Sequence, residues 1–173
     1  MSRFRRLGAF LLVASLAAAV SVLGAPAASA AALTTVSWTV SNNQVSATGV
    51  SYWYSFKTAT AGTIGKVVFT VSGAGLAGTP TIVKNYGIPA GTVARAGQVI
   101  TYTVTTPVAV AANVPIYIEL GANTNSATAG SYTTSVQTQT AASAVIDGQP
   151  GRQRARSGGG HQPNRLLRHP RRA

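Results

Sequence analysis

The sequence predicts an all-β fold, an antiparallel β-sandwich of about seven or eight short strands. Three observations carry that expectation. Residues 33–146 are dominated by Thr, Val, Ala, Ser and Gly with scattered aromatic residues, and Thr, Val, Ile and Tyr suit the pleated, half-buried surface of a sheet. Apolar and polar residues alternate with period two in several windows, the pattern of strands with one buried face. Outside the N-terminal segment, no window of helical length carries an apolar stripe at 3.6-residue spacing.

Taken in order, the first alternating window sets Val36, Trp38 and Val40 against Ser37, Thr39 and Ser41. The second sets Val50, Tyr52, Tyr54 and Phe56 against Ser51, Trp53, Ser55 and Lys57. Val67, Phe69 and Val71 form the third apolar row, and Ile100, Tyr102 and Val104 the fourth. Ile116, Ile118 and Leu120 alternate with Tyr117 and Glu119, and Tyr132, Thr134 and Val136 with Thr133, Ser135 and Gln137. Turn and loop signals separate these windows at Asn42-Asn43, Ala61-Gly62, Gly73–Pro80, Gly87–Gly91 and Gly121–Gly130. Pro107 and Pro115 confine their strands to edges, starts or bulges, because proline cannot donate to a ladder. The spacing and strand count suit a sandwich domain of about 115 residues.

One short motif refines the fold. Ala129-Gly130-Ser131-Tyr132-Thr133 resembles the tyrosine corner of immunoglobulin-like domains. In that family the tyrosine opens a strand and its hydroxyl ties back to upstream backbone. The resemblance implies an immunoglobulin-like sandwich with structural roles for Tyr132 and Gly130. Trp53 resembles the buried tryptophan of an earlier strand in the same family. The family's paired cysteines are absent, since the chain has no Cys.

The formal net charge of +12 is concentrated at the two ends. Arg3, Arg5 and Arg6 open the chain, and Arg152, Arg154, Arg156, Arg165, Arg168, Arg171 and Arg172 lie near its end. Residues 1–30 read as a secretory signal peptide: a basic start, an apolar run over Leu7–Val22, and the small-x-small cleavage signal Ala28-Ser29-Ala30. An anchoring transmembrane helix is the competing reading, weakened by the short apolar run and by Gly24-Ala25-Pro26. Arg5-Arg6 leaves both the Sec and the twin-arginine routes open. Export places the mature chain outside the cell, with no membrane span of its own. Residues 31–146 are expected to be the sandwich.

From Asp147 the vocabulary turns to Arg, Gly, Gln, Pro and His, and residues 147–173 read as a basic, disordered tail. Such a tail could bind nucleic acid or another anionic polymer by neutralising its charge. Alternatively it is an out-of-frame reading of the last strand, which is expected near or beyond residue 150.

Composition also bounds the chemistry. Residues 31–146 hold five charged residues, Lys57, Lys66, Lys84, Arg95 and Glu119, and no His, Asp or Cys. General acid–base catalysis needs groups that titrate near the working pH, and metal sites need several His, Cys, Asp or Glu ligands. A hydrolase triad needs a His, and His161 and His169 both lie in the tail. The expectation is therefore no enzyme, no metal and no cofactor. Asn123-Thr124-Asn125-Ser126 lacks the carboxylates that calcium favours. The expected function is structural or adhesive, at the cell surface, toward a protein or polysaccharide partner. A carbohydrate-binding module using exposed aromatic rings is the alternative, and an anionic-polymer binder acting through the tail is a further one. Tyr52, Trp53 and Tyr54 are the sharpest binding candidates. Alternation puts Trp53 on one face and the two tyrosines on the other, so either Trp53 or the tyrosine pair faces outward.

Overall fold

The computed structural model describes residues 30–73, 75–149 and 155–157; Gln149 and residues 155–157 are described through their backbone alone. The N-terminal segment read as a signal peptide and most of the basic tail, with His161 and His169, lie outside these residues. The described residues hold strands and no helix.

The strands are β1 (Thr34–Val40), β2 (Val50–Lys57), β3 (Gly62–Val71), β4 (Ala77–Tyr86), β5 (Gly91–Ala96), β6 (Val99–Val110), β7 (Pro115–Thr124), β8 (Gly130–Tyr132), β9 (Thr134–Gln139), β10 (Val145–Gln149) and β11 (Ala155–Ser157). One sheet runs β1-β2-β7-β4 and a second runs β10-β9-β3-β6-β5, with every pairing antiparallel. A small antiparallel pair joins β8 to β11.

The two sheets bury their facing rows against each other. Trp38, Tyr52, Tyr54 and Phe56 come from the first sheet, and Val67, Phe69, Ile100, Tyr102 and Val136 from the second. The Tyr54 and Phe69 rings stack across the gap at 3.9 Å between centroids, and Trp38 lies parallel to Tyr54 at 6.3 Å. The alternation read from the sequence thus sets the buried rows of β1, β2, β3, β6 and β7 correctly. A row of this kind is robust because a one-residue slip would carry every apolar side chain to the outer face.

Several expectations are corrected. The described residues form eleven strands, not seven or eight. Gly73–Pro80 was expected to be loop, but β4 begins at Ala77, with register shifts after Gly78 and after Ile82. Pro80 sits within the first of these irregular stretches of an edge strand, where no ladder donor is required. Pro107 lies in the corresponding irregular stretch of β6, where pairing jumps from Ile64↔Val108 to Lys66↔Thr103, and Pro115 opens β7.

The largest correction concerns residue 147. The strand beside β9 is not missing: β10 occupies that edge across the boundary set at residue 146. Asp147 is fully buried. Its Oδ2 accepts hydrogen bonds from the Ala59 amide at 3.0 Å and the Thr60 amide at 3.2 Å, so a carboxylate is seated in the sandwich wall. Composition misplaced the boundary because an acidic residue followed by Gly lacks the look of a strand.

Candidate binding face of the four-stranded sheet

Alternation and pairing together decide which rings meet solvent. On β2, Tyr52 and Tyr54 point into the core and are 3% and 0% exposed. The binding roles expected for these two rings are therefore corrected: neither can stack on a ligand from solvent. The Tyr52 hydroxyl instead donates to Asn125 Oδ1 at 2.8 Å. Burial, with a smaller contribution from Tyr132, pushes the Tyr52 hydroxyl up to about 12. Burial raises Tyr54 well above its ordinary value, with Tyr52 adding to the rise and the nearby Thr134 hydroxyl opposing it.

Trp53 takes the outer face with Ser51, Ser55 and Lys57, and is partly exposed. It is not the core tryptophan that the family resemblance suggested; Trp38 on β1, 5% exposed, fills that role.

The ladder places partners beside Trp53 that no single stretch of sequence announces. Trp53 lies opposite Glu119 on β7, and Glu119 lies opposite Lys84 on β4. One step along, Ser55 lies opposite Tyr117, and Tyr117 opposite Tyr86. Directly opposed side chains of an antiparallel pair have Cβ atoms about 5 Å apart, and diagonal neighbours stand about 7 Å apart. Trp53, Tyr117 and Tyr86 therefore form an oblique aromatic row, with Glu119 and Lys84 on its flank. The row crosses two strand spacings, about 10 Å. Tyr86 is 64% exposed, and Val83, at the register shift of β4, 57%. Partial burial, then the negative charge of Glu119, raise the Tyr117 hydroxyl above its ordinary value, so hydroxyl and carboxylate share one local field. Gly121 leaves room at the margin of this face: a Cβ there would stand 2.8 Å from Val83 Cγ2.

The other candidate segments have structural duties. Asn125 Nδ2 donates to Asn42 O and Gln44 O, both at 2.8 Å, and ties down the turn between β1 and β2. Asn123 Nδ2 donates to Leu120 O at 2.7 Å and to Val50 O at 3.2 Å. The Tyr132 hydroxyl donates to Thr128 O, four residues upstream, at 2.6 Å. Gly130 opens the three-residue β8 that carries Tyr132.

Two further depressions stand at the ends of the sandwich. Trp38, Tyr52, Gln98, Asn125, Ser126 and Tyr132 are among the residues lining one. The other is a shallow apolar groove between Gly87–Pro89 and Val108–Val114. Among the described residues there is no cluster of three or more His, Cys, Asp or Glu side chains that could hold a metal, and no helix is long and apolar enough to cross a membrane.

No family model and no curated protein matches the chain.

Proposed function

We infer that this chain is an exported, non-catalytic β-sandwich with an adhesive role outside the cell, and that it holds polysaccharide on the outer face of its four-stranded sheet. The observation that carries the reading is the row Trp53, Tyr117 and Tyr86, set on adjacent strands and flanked by Glu119 and Lys84. Pyranose rings present apolar C–H faces that stack on aromatic rings and hydroxyls that bond to carboxylates and ammonium groups. A flat sheet face with that mixture suits an extended polymer better than a small molecule, which is usually enclosed in a concave pocket.

The absence of catalysis is supported by the separation of the two acidic residues. Glu119 lies on the outer face, and Asp147 is buried beside the β2–β3 connection. A pair of that kind cannot share a proton-transfer task, which needs groups within hydrogen-bond reach of one reacting centre.

The sandwich is read as immunoglobulin-like. The spatial orders β1-β2-β7-β4 and β10-β9-β3-β6-β5 correspond to A-B-E-D and G-F-C-C′-C″ of a variable-type domain. The path between β3 and β7 departs from that family, because the chain visits β4 in the opposite sheet before making the β5–β6 hairpin. The likeness supports the fold and says nothing of the ligand.

The test is retention on a panel of insoluble polysaccharides at low and high salt. Truncating a central aromatic contact typically costs about 2 kcal/mol or more, so Trp53→Ala should weaken binding at least about tenfold. Tyr86→Ala should act in the same direction, and high salt should leave most of the binding in place. Binding that is unchanged in both variants would refute the site. Binding that vanishes in salt and on deletion of residues 150–173 would move the function to the basic tail. Self-association without any retention would leave a purely structural role.

A further inference from the structure

The buried Asp147 carboxylate is only half satisfied. Its Oδ2 takes the amides of Ala59 and Thr60, while Oδ1 is buried and has no hydrogen-bond partner among the described residues. A buried carboxylate lacking a partner is costly, and removing that cost requires a donor or a positive charge. The backbone brings one specific residue to this place. Ala31 forms a parallel bridge with Asp147, and the Gly148 amide donates to Ala31 O at 2.9 Å. Ala31 is also the first residue left by cleavage after Ala28-Ser29-Ala30.

We propose that removal of the leader creates the missing partner: the new α-ammonium of Ala31 docks on the Asp147 carboxylate and locks the first residues of the mature chain to the last strand of the sandwich. The contact rests on the export reading for its biological origin. It would give the processed protein a firmer edge than its precursor, at a sheet margin that otherwise ends in one bridge.

Among the described residues, the other groups around the carboxylate supply no competing charge. Thr138 on β9 accepts from the Asp147 amide through Oγ1 at 3.1 Å, and the β2–β3 connection offers only backbone amides. Of the cations on the flanking strands, Lys66 Nζ donates to Ser143 Oγ at 2.7 Å, and Lys57 is exposed at the end of β2.

The experiment compares chains that start at Ala31 and run to residue 173. One has a free N-terminus, one is Nα-acetylated, and one retains Ala30; each is made with Asp147 and with Asp147→Asn. A charge-assisted hydrogen bond to a buried group makes the free form about tenfold more stable in its folding equilibrium, seen as a melting temperature several degrees higher. The advantage should disappear in Asp147→Asn. An ammonium that gains a partner has its pKa raised on folding, so its contribution is complete below the α-amino range, about 8, and fades as pH rises through and beyond it. Equal stability of the three N-termini, or an advantage that survives Asp147→Asn or pH 10, overturns the proposal. Should Asp147→Asn fail to fold, the acetylated and free chains compared across pH decide the matter alone. Intact mass of the exported protein separately tests the export reading: a start other than Ala31 removes the processing origin without touching the contact measured in the recombinant chains.

Discussion

At the scale of single residues, the buried tyrosines set the alkaline limit of the fold. Unfolded tyrosine ionises near about 10, whereas Tyr52 is pushed up to about 12 and Tyr54 is raised well above its ordinary value. A group whose pKa is raised on folding contributes stability that is complete below its unfolded pKa and is lost as pH rises through the folded one. The sandwich should therefore hold through pH 9 and lose stability progressively from about pH 10 toward 12. Phenolate absorbance and the strand circular dichroism signal, followed together, check this. Ionisation of Tyr52 and Tyr54 near pH 10 with an unchanged strand signal would contradict it. Which rings were buried was half legible: parity put Tyr52 and Tyr54 on the face opposite Trp53, but parity does not say which face is the core. The neighbouring pattern could have broken that tie, since Phe56 shares the tyrosine row and Lys57 the Trp53 row.

At the scale of elements, the sequence was legible wherever alternation ran uninterrupted, and opaque where bulges and glycines broke it. β4 contains Gly78 and Pro80 and two register shifts, so its residues change face irregularly, and β5 is a partly exposed edge whose Ala and Thr carry little contrast. The aromatic row was illegible for a related reason. Tyr117 and Trp53 could each be put on a face, but only the pairing of β2 with β7, and of β7 with β4, brings Trp53, Tyr117 and Tyr86 together. The same breaks carry structural weight. Gly65 lies where the β3–β6 register shifts, and a Cβ there would stand 2.4 Å from the Ala141 amide nitrogen. The β9–β10 turn therefore packs directly on the backbone of β3. Gly65→Ala should force the two apart and cost about 1–3 kcal/mol, read as a lower denaturant midpoint at unchanged slope. A variant as stable as the parent would show that the turn can lift away freely.

At the scale of the whole molecule, closure along the two open sides decides where the domain ends. On one side Arg95 of β5 reaches across to the start of β4: Nε donates to Gly78 O at 2.8 Å and Nη1 to Leu76 O at 3.2 Å. A cation spent on backbone carbonyls at a sheet edge also discourages pairing with another chain. On the other side, β10 covers β9 and its Asp147 anchors the Ala59 and Thr60 amides. A chain cut after Ile146, where composition changes, would expose the β9 edge and leave those two amides without their carboxylate acceptor. Each of these part-buried hydrogen bonds to a charged acceptor contributes about 1.5–3 kcal/mol, a large share of the 5–15 kcal/mol that holds a typical domain together. The segment 31–146 should therefore be unfolded or aggregated at room temperature. The segment 31–149 should give a cooperative melt, and adding residues 150–157, which bring β11 to β8, should raise its midpoint only modestly. Thermal melts and sizing of the three segments check this. A folded, monomeric 31–146 would show that β10 is dispensable and that the compositional boundary is the physical one.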